Sequence, residues 1–162
     1  MTDKHLKNQE SISVLMICMG NICRSPTAEA VLRHQAARAG VEMIIDSAGT
    51  IGYHSGAEPD RRARAAGERR GYDFGGISAR QVKSDDFIRF DLILAADHSN
   101  LADLRAQCPA EHQHKLTLLP SYAEGSEQEV PDPYYGGDQG FERVLDLIES
   151  ACKGLLTQLT TS

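Results

Sequence analysis

The segment Cys18-Met-Gly-Asn-Ile-Cys-Arg-Ser-Pro26 places a thiol and a guanidinium on one short stretch of the chain. The guanidinium of Arg24 can bind two oxygens of one oxyanion at the same time. A thiol that is held as a thiolate can attack a phosphoryl group bound beside it, and the product is a phosphocysteine. The pattern therefore predicts nucleophilic phosphoryl chemistry, with Cys18 as the nucleophile and Arg24 as the group that grips the anion.

The residues around this segment predict the elements that must hold it. The apolar run from Ile12 to Ile17 precedes it and is typical of a buried strand, whereas the Ala-rich run from Thr27 to Arg38 follows it and is typical of a helix. Gly20 and Asn21 let the backbone curl with its N–H groups inward, and Pro26 suits the first turn of a helix. A strand, a loop and a helix in this order place the loop at the edge of a parallel sheet where α/β proteins bind ligands. Besides Cys18 and Arg24, the predicted phosphate-binding loop contains Met19, Gly20, Asn21, Ile22, Cys23 and Ser25.

Three other interpretations of this loop are weaker. A buried structural cysteine on a tight turn would leave Arg24 and the glycine-containing curl without a purpose. A zinc site is disfavoured because the spacing of Cys18 and Cys23 is unusual and no second Cys or His pair is near them. A nucleotide-binding Walker loop is excluded because the segment does not end in Gly-Lys-Ser or Gly-Lys-Thr. The sequence predicts no metal and no cofactor, because inward amides and Arg24 supply the positive charge.

The run V-L-M-I-C-M-G-N-I-C-R-S-P-T-A-E resembles the signature of the low-molecular-weight protein tyrosine phosphatases. The other matching segments are Asp46 to Thr50, Pro59 to Ala63, Ala79 to Gln81, Asp97 to Leu101 and Asp132 to Gly136. They keep the order of the family and extend from about Ser11 to the last helix. The resemblance implies an enzyme that hydrolyses phosphotyrosine through a phosphocysteine intermediate, with an aspartate general acid and without a metal.

Three segments depart from the pattern of the family. Many relatives have a His that helps to brace the phosphate-binding loop, but this chain has Ile77 at that position. Relatives often have Met-Asp where this chain has Ala96-Asp97, and Asp-Pro-Arg where it has Asp60-Arg61-Arg62. The first departure predicts a different bracing network. The other two segments are expected to be peripheral to the chemistry.

Short apolar runs alternate with longer helical ones, which predicts an α/β fold. The expected fold is a single-domain, three-layer α/β fold with a central four-stranded parallel sheet, helices on both faces and the phosphate-binding loop after the first strand. The predicted strands are Ile12 to Ile17, Glu42 to Asp46, Leu92 to Ala95 and Lys115 to Leu118. The predicted helices are Thr27 to Arg38, Pro59 to Arg69, Ser84 to Phe90, Ser99 to Gln107 and Gly140 to Leu159. Residues 1–10 are predicted to be a polar N-terminal extension and residues 11–162 the phosphatase domain.

Composition limits the partners and the compartment. The formal net charge of −6 argues against a nucleic-acid binder. No apolar stretch approaches the roughly 20 residues that a membrane-spanning helix needs, and the polar start lacks a signal-peptide core. Four cysteines, one of them in a reactive setting, suit a reducing compartment. The expected location is the cytoplasm, with neither nucleic acid nor membrane as a partner.

The long loop from Pro120 to Tyr135 supplies the second catalytic group. A departing tyrosyl oxygen, whose pKa is about 10 in water, needs a proton when its bond to phosphorus breaks. Asp132 lies between Pro131 and Pro133, and the resemblance makes it the general acid, which then activates water. Three aromatic residues are predicted to form the walls of a deep slot for the substrate ring: Tyr53, Tyr134 and Tyr135.

The remaining loop residues have supporting roles. The Ser25 hydroxyl is expected to donate to the Cys18 sulfur, and Asn21 to fix a left-handed bend. Cys23 is a candidate redox partner that forms a disulfide with Cys18 after oxidation, although it could equally pack beneath the loop. The expected partners are a tyrosine-phosphorylated protein, with a tyrosine kinase as a further candidate, and inorganic phosphate as a product inhibitor.

Three rival functions share parts of this pattern. Thioredoxin-coupled arsenate reductases need two further redox cysteines about seventy residues past the nucleophile, and this chain has only Cys108 downstream of that region before the last helix. A phosphocysteine carrier module needs neither Arg24 nor Asp132. Protein-arginine phosphatases are the closest rival, because relatives with that activity have Thr where this chain has Ile22. An apolar, β-branched residue there favours phosphotyrosine.

Overall fold

A computed structural model describes residues 11–134 and 137–161. Its strands are β1 (Ile12–Cys18), β2 (Met43–Gly49), β3 (Leu92–Ala95) and β4 (Leu116–Leu118). Its α-helices are α1 (Arg24–Ala39), α2 (Arg61–Arg69), α3 (Ser84–Arg89), α4 (His98–Gln107) and α5 (Asp138–Thr160). Two 3₁₀ segments, Ala110–Lys115 and Leu119–Tyr122, flank β4. The predicted N-terminal extension and Tyr135 lie outside the described residues.

The four strands form one sheet in the order β2-β1-β3-β4, and every pair is parallel. Along β1, Val14 and Met16 pack into the core on one face, whereas Leu15 and Ile17 pack into the core on the other face. A strand that is buried on both faces has to be apolar at successive positions, because its side chains alternate between the faces. The predicted α/β fold with a parallel sheet is confirmed.

Helices cover both faces of this sheet. One core contains residues of α1, α2 and α5, and the opposite core contains Phe87 of α3 and Leu104 of α4. The predicted apolar face of the last helix is buried, as shown by Phe141, Val144, Leu145, Ile148, Ala151, Cys152 and Leu155. Among the described helices, none is both long and apolar enough to cross a bilayer.

The elements around the reactive segment extend beyond their predicted ends. Strand β2 continues to Gly49 instead of Asp46, because its last residues pair in register with β1 as far as Cys18. Helix α1 begins at Arg24 instead of Thr27, so that Arg24 and Ser25 form its first turn. The loop is therefore shorter than the sequence predicted, and a strand end and a helix start hold it on both sides.

Candidate active site

The loop between β1 and α1 folds tightly against the end of β2. Asn21 has a φ of 58° and is the only non-glycine residue in the described part of the chain with a positive φ. Asparagine tolerates this left-handed conformation better than most side chains do. A Cβ atom on Gly49 would lie 2.6 Å from the carbonyl oxygen of Met19. Only glycine therefore lets β2 approach the loop this closely.

The sulfur of Cys18 is buried at the base of the loop. Its Sγ lies 3.0 Å from the Oγ of Ser25 and accepts a hydrogen bond from the Ser25 backbone N–H at 3.4 Å. The N–H groups in the first turn of a helix have no intrahelical partner, and Ser25 is in the first turn of α1. These donors, together with the positive end of the helix dipole, stabilise negative charge on the sulfur.

Asn21 joins the loop to two other parts of the chain. Its Oδ1 accepts a hydrogen bond from the backbone N–H of Arg80 at 3.0 Å, which fixes the orientation of the amide. Its Nδ2 donates to the Oγ of Ser25 at 2.7 Å and to the Oγ of Ser47 at 3.0 Å. Because Ser25 accepts from Asn21, its own hydroxyl hydrogen can point at the Cys18 sulfur. No sequence pattern predicted a role for Ser47, apart from its place in the matching segment that starts at Asp46.

Arg24 is buried beside the loop with one end of its guanidinium fixed. Its Nη1 donates to the Oδ2 of Asp97 at 2.7 Å and to the carbonyl oxygen of Val130 at 3.0 Å. Burial disfavours its charge, but the nearby Cys18 and the bond to Asp97 outweigh burial and raise the pKa of Arg24. The expectation that the Ala96-Asp97 segment is peripheral is therefore wrong. Because β3 pairs with β1, the residues that follow β3 lie beside the loop.

Asp132 lies across the cleft from the sulfur-bearing loop and is exposed to solvent. Its Oδ2 is 3.7 Å from the Nη2 of Arg24, and its Oδ1 accepts a hydrogen bond from the backbone N–H of Tyr134 at 3.1 Å. The loop is anchored just before this point, since the buried Val130 donates its N–H to the carbonyl oxygen of Ala96 at 2.8 Å. The carboxylate is thus exposed enough to exchange protons with solvent and is still held near Arg24.

A cleft of about 380 Å³ opens above the sulfur. It is lined by Cys18, Met19, Gly20, Ile22, Cys23, Arg24, Ile51, Tyr53, His54, Asp132 and Tyr134. Tyr53 is 83% exposed and Tyr134 is 37% exposed, so both stand at its rim. Every predicted site residue that the structure describes therefore lines the cleft, except Asn21 and Ser25. These two loop residues are buried and lie behind the cleft lining. Ile51 and His54 line the cleft without having been predicted.

Arg62 supports one wall of this cleft. Its Nη2 donates to the carbonyl oxygen of Tyr134 at 2.8 Å, and its guanidinium carbon lies 5.4 Å from the centre of the Tyr134 ring. A guanidinium over an aromatic face is attracted by the electrons of the ring. Arg62 therefore supports the rim of the cleft, whereas the expectation that the Asp60-Arg61-Arg62 segment is peripheral to the chemistry stays a prediction.

Cys23 lies on the same loop as Cys18 and is buried. Burial, and after it the negative charges of Asp60 and Cys18, raise the pKa of the Cys23 thiol. A buried thiol with a raised pKa is a poor nucleophile, which disfavours Cys23 for that role. In residues 11–134 and 137–161, no group of three or more Cys, His, Asp or Glu side chains is arranged to hold a metal ion.

Comparisons with known proteins agree with this geometry. A model of the family described as low molecular weight phosphotyrosine protein phosphatase matches residues 13–162. The low molecular weight protein-tyrosine-phosphatase YfkJ of Bacillus subtilis is 43% identical over 151 residues, which cover 91% of this chain and 96% of the relative. The low molecular weight phosphotyrosine protein phosphatase of Homo sapiens is 39% identical over 159 residues, which cover 93% of this chain and 98% of the relative.

Solved structures of related phosphatases share this fold over more than 90% of the chain. A crystal structure of a protein tyrosine phosphatase from Entamoeba histolytica has a TM-score of 0.89 at 43% identity, covering 92% of this chain and 97% of the other. An arginine phosphatase from Drosophila has a TM-score of 0.86 at 32% identity, covering 92% and 98%. The resemblance of the Cys18 segment to the family signature is therefore confirmed over nearly the whole chain. The chain belongs to the low molecular weight phosphotyrosine protein phosphatase family.

Proposed function

We propose that this protein is a protein tyrosine phosphatase that hydrolyses phosphotyrosine through a phosphocysteine on Cys18. The observation that carries the proposal is the convergence of three groups on one cleft: a sulfur with two donors from Ser25, the guanidinium of Arg24, and the carboxylate of Asp132. The aromatic rim of Tyr53 and Tyr134 suits a substrate ring that carries its phosphate at the end of a long side chain.

In the first step, the Cys18 thiolate attacks phosphorus while the bond between phosphorus and the tyrosyl oxygen breaks. The electron pair of that bond goes to the tyrosyl oxygen, which takes a proton from Asp132. The product tyrosine leaves, and the phosphoryl group stays on the sulfur. The distance between Asp132 and Arg24 is short enough for both to contact one bound phosphoryl group.

In the second step, water attacks the phosphocysteine. Asp132 is now a carboxylate and takes a proton from the water, and the bond between phosphorus and sulfur breaks. The Ser25 hydroxyl donates to the sulfur and helps it to leave with the electron pair. The product is inorganic phosphate, which fits the same loop and is expected to act as a product inhibitor.

Arg24 stabilises the transferring group in both steps. Because Asp97 and Val130 hold Nη1, the plane of the guanidinium is fixed before substrate binds. Its other N–H groups can then bind two equatorial oxygens of the phosphoryl group, which carry negative charge throughout the transfer. This preorganisation replaces the metal ion that other phosphoryl-transfer enzymes use for the same purpose.

Protein-arginine phosphatase activity is the second candidate, because a solved arginine phosphatase shares the fold at 32% identity. Initial rates on phosphotyrosine, phosphoserine and phosphoarginine peptides separate the candidates. The proposal expects the phosphotyrosine peptide to be the fastest substrate. Serine is too short to place its phosphate at the base of a rimmed cleft, so rapid hydrolysis of the phosphoserine peptide would contradict the assignment.

Replacing Ile22 tests whether this residue determines the preference for phosphotyrosine over phosphoarginine. Ile22 lines the cleft, where its methyl groups would contact the ring of phosphotyrosine. A hydroxyl there would suit the polar guanidinium of phosphoarginine, and such a swap is usually worth about 1 to 3 kcal/mol in discrimination. Ile22→Thr is expected to raise the ratio of kcat/KM for phosphoarginine over phosphotyrosine by about tenfold or more. An unchanged ratio would remove Ile22 as the selector.

The two other rivals fit the site less well. A phosphocysteine carrier would not need Arg24 and Asp132 in the same cleft. A redox role comparable to that of an arsenate reductase would need Cys108 near Cys18, but Cys108 packs in the core beside α4, on the other face of the sheet. Burial raises the pKa of Cys108, which disfavours a reactive thiolate.

Reversible oxidation is a further part of the proposal. Peroxide would oxidise the Cys18 thiolate to a sulfenic acid, and the sulfur of Cys23 would then displace water to form a disulfide. Treating the enzyme with peroxide should produce a Cys18–Cys23 bridge by mass spectrometry, and dithiothreitol should restore most of the activity. Cys23→Ser should recover far less, whereas Cys108→Ser, a buried thiol outside the loop, should recover like wild type. Equal recovery of all three proteins would make Cys23 a packing residue.

The physiological role is proposed at the level of class. The substrate is a tyrosine-phosphorylated protein of the cytoplasm, and a tyrosine kinase is the partner reaction that supplies it. The formal charge of −6 supports the exclusion of nucleic acid as a partner.

A further inference from the structure

A chain of hydrogen bonds runs from the catalytic sulfur to a buried carboxylate. Its members, from the sulfur outward, are Cys18, Ser25, Asn21, Ser47 and Glu29, called here the loop network. The last bond is short, since the Oγ of Ser47 donates to the Oε1 of Glu29 at 2.6 Å. Glu29 lies on α1 and is only 3% exposed. A buried carboxylate therefore lies at the far end of the network that orients the Ser25 hydroxyl.

Arg33, one turn further along α1, holds this carboxylate. Its Nε and Nη2 both donate to the Oε2 of Glu29, at 3.0 and 2.5 Å. Its Nη2 also donates to the carbonyl oxygen of Ile45 on β2, at 2.6 Å. The guanidinium thus donates three hydrogen bonds to two acceptor oxygens, although the side chain is 53% exposed.

Ile77 adds no hydrogen bond to this contact. It lines the same cleft as Glu29 and Arg33. An isoleucine side chain has no hydrogen-bonding group, so it cannot hold the carboxylate. Of the side chains that the structure describes, only Arg33 and Ser47 donate hydrogen bonds to Glu29.

The charge of Glu29 and the backbone N–H of Arg80 together set the bond directions in the loop network, each from its own end. An ionised carboxylate can only accept, so the Ser47 hydroxyl has to donate to it. The Ser47 oxygen then accepts an N–H of Asn21, whose amide is already oriented by the backbone N–H of Arg80. The second N–H of Asn21 goes to the oxygen of Ser25. The Ser25 hydrogen is then free to point at the sulfur, 3.0 Å away, or at the more distant carbonyl oxygen of Ala48, 3.5 Å away.

A protonated Glu29 would allow the reverse direction. Its O–H could donate to Ser47, whose own hydrogen would then point at Asn21. The Asn21 amide could accept it only by turning over, which would set its NH₂ group against the backbone N–H of Arg80. The oxygen of the amide would then take the Ser25 hydrogen away from the sulfur. In the reversed arrangement the sulfur has lost the Ser25 donor, so loss of the Glu29 charge weakens the preference of the network for the donating arrangement while the Arg80 N–H still opposes the reversal.

We propose that Arg33 is a positioning residue of this phosphatase, which keeps Glu29 ionised and so fixes the donor direction of the loop network. This proposal rests on the proposed function, because it assigns Ser25 as a donor to the nucleophile. Burial raises the pKa of Glu29, and the bonds from Ser47 and Arg33 oppose that rise. The exposed Arg33 guanidinium thus acts on a sulfur that it does not touch.

Other titratable groups lie around the carboxylate and have to be considered in a pH experiment. Asp46 on β2 raises the pKa of Glu29 and is itself paired with Arg80 at 3.1 Å. His34 and Asp73 line the same cleft as Glu29. None of them donates a hydrogen bond to the carboxylate within the described residues, so replacing Arg33 changes the direct partner without replacing these charges.

The first test compares Arg33→Met with Arg33→Lys and with a matched control, Arg64→Met. Arg64 pairs with Glu68 one turn away on α2, with the Nε of Arg64 2.9 Å from the Oε2 of Glu68, on an exposed surface. The readout is the rate at which iodoacetamide alkylates Cys18, between about pH 5 and about pH 8, which needs no substrate. The ratio of kcat/KM to wild type for an aryl phosphate is measured over the same range.

Arg33→Met is expected to slow alkylation by about tenfold at the acid end, because one donor to a charged atom is worth about that factor. At the alkaline end Glu29 is ionised again, and the loss should fall below about twofold. Arg33→Lys and Arg64→Met should stay close to wild type at both ends. A loss in Arg33→Met that is the same at every pH would mean that Arg33 is only a packing residue, and the proposal would be wrong.

A second pair of variants keeps the test decisive even where Arg33→Met does not fold. In Glu29→Gln, the remaining arginine attracts the amide oxygen and turns the NH₂ group toward Ser47, so a loss that is independent of pH is expected. In Glu29→Gln with Arg33→Met, the amide oxygen can face Ser47, and alkylation should recover to near the wild-type rate. A double variant that is as slow as Glu29→Gln would overturn the proposal. A wild-type enzyme that does not hydrolyse phosphotyrosine would overturn the proposed function, whereas the alkylation rates of the variants test the loop network separately.

Discussion

Cys18→Ser is expected to lose phosphotyrosine hydrolysis by about 10⁴-fold or more while it remains folded. A serine hydroxyl at this position is a far weaker nucleophile than a thiolate, and no base among the described residues contacts it. The fold should survive because oxygen can keep the contacts with Ser25 that the sulfur makes. Turnover of a phosphotyrosine peptide, together with the thermal unfolding midpoint, tests both statements.

The control for this substitution is Cys108→Ser. Cys108 is also a buried thiol, but among the described residues its Sγ makes a hydrogen bond only to the carbonyl oxygen of Pro109, at 3.4 Å, and it packs in the core on the other face of the sheet. Turnover by this variant should be close to wild type. If Cys18→Ser kept a tenth of the wild-type turnover, covalent catalysis through Cys18 would be excluded.

Asp132→Asn is expected to slow phosphotyrosine hydrolysis by about 100-fold or more. Asparagine keeps an oxygen for the N–H of Tyr134 but cannot supply the proton that the tyrosyl oxygen needs, and it also removes the negative charge 3.7 Å from the Nη2 of Arg24. An ester with a highly acidic leaving alcohol departs without that proton, so its transfer to Cys18 should slow much less. Rapid mixing measures this first step separately for each ester.

Glu127→Gln is a matched control for Asp132→Asn. Glu127 belongs to the same long segment, but its carboxylate pairs with Arg143 at 2.8 Å on the surface, away from the cleft. Its replacement should leave both rates unchanged. An equal fall for both esters in Asp132→Asn would reject the role of Asp132 as an acid, because leaving-group quality would then have no influence.

Sequence patterns predicted the parts of the site that are local in the chain. The apolar run of β1, the Gly20-Asn21 curl and Pro26 are consecutive, and each restricts the backbone in a way that does not depend on distant residues. The strand, loop and helix therefore follow from the sequence alone. The parallel sheet followed from the alternation of strands and helices, which leaves few other arrangements.

The side chains that complete the site from a distance were harder to predict. Asp97 reaches Arg24 only because β3 pairs with β1, and Ser47 reaches Asn21 because Met16 of β1 is the register partner of Ser47. Register is a property of the folded sheet that no local pattern states. For the same reason the Asp97 segment was expected to be peripheral, and no role was predicted for Glu29.

The central claim is that the phosphoryl group passes through the sulfur of Cys18. The most direct measurement mixes the enzyme with a phosphotyrosine peptide, quenches with acid within the first turnover, and locates phosphate by peptide mass spectrometry. The account predicts phosphate on the peptide that contains Cys18, a longer-lived adduct in Asp132→Asn because water is no longer activated, and none in Cys18→Ser. Phosphate on another residue, or full turnover without any phosphorylated enzyme, would contradict it.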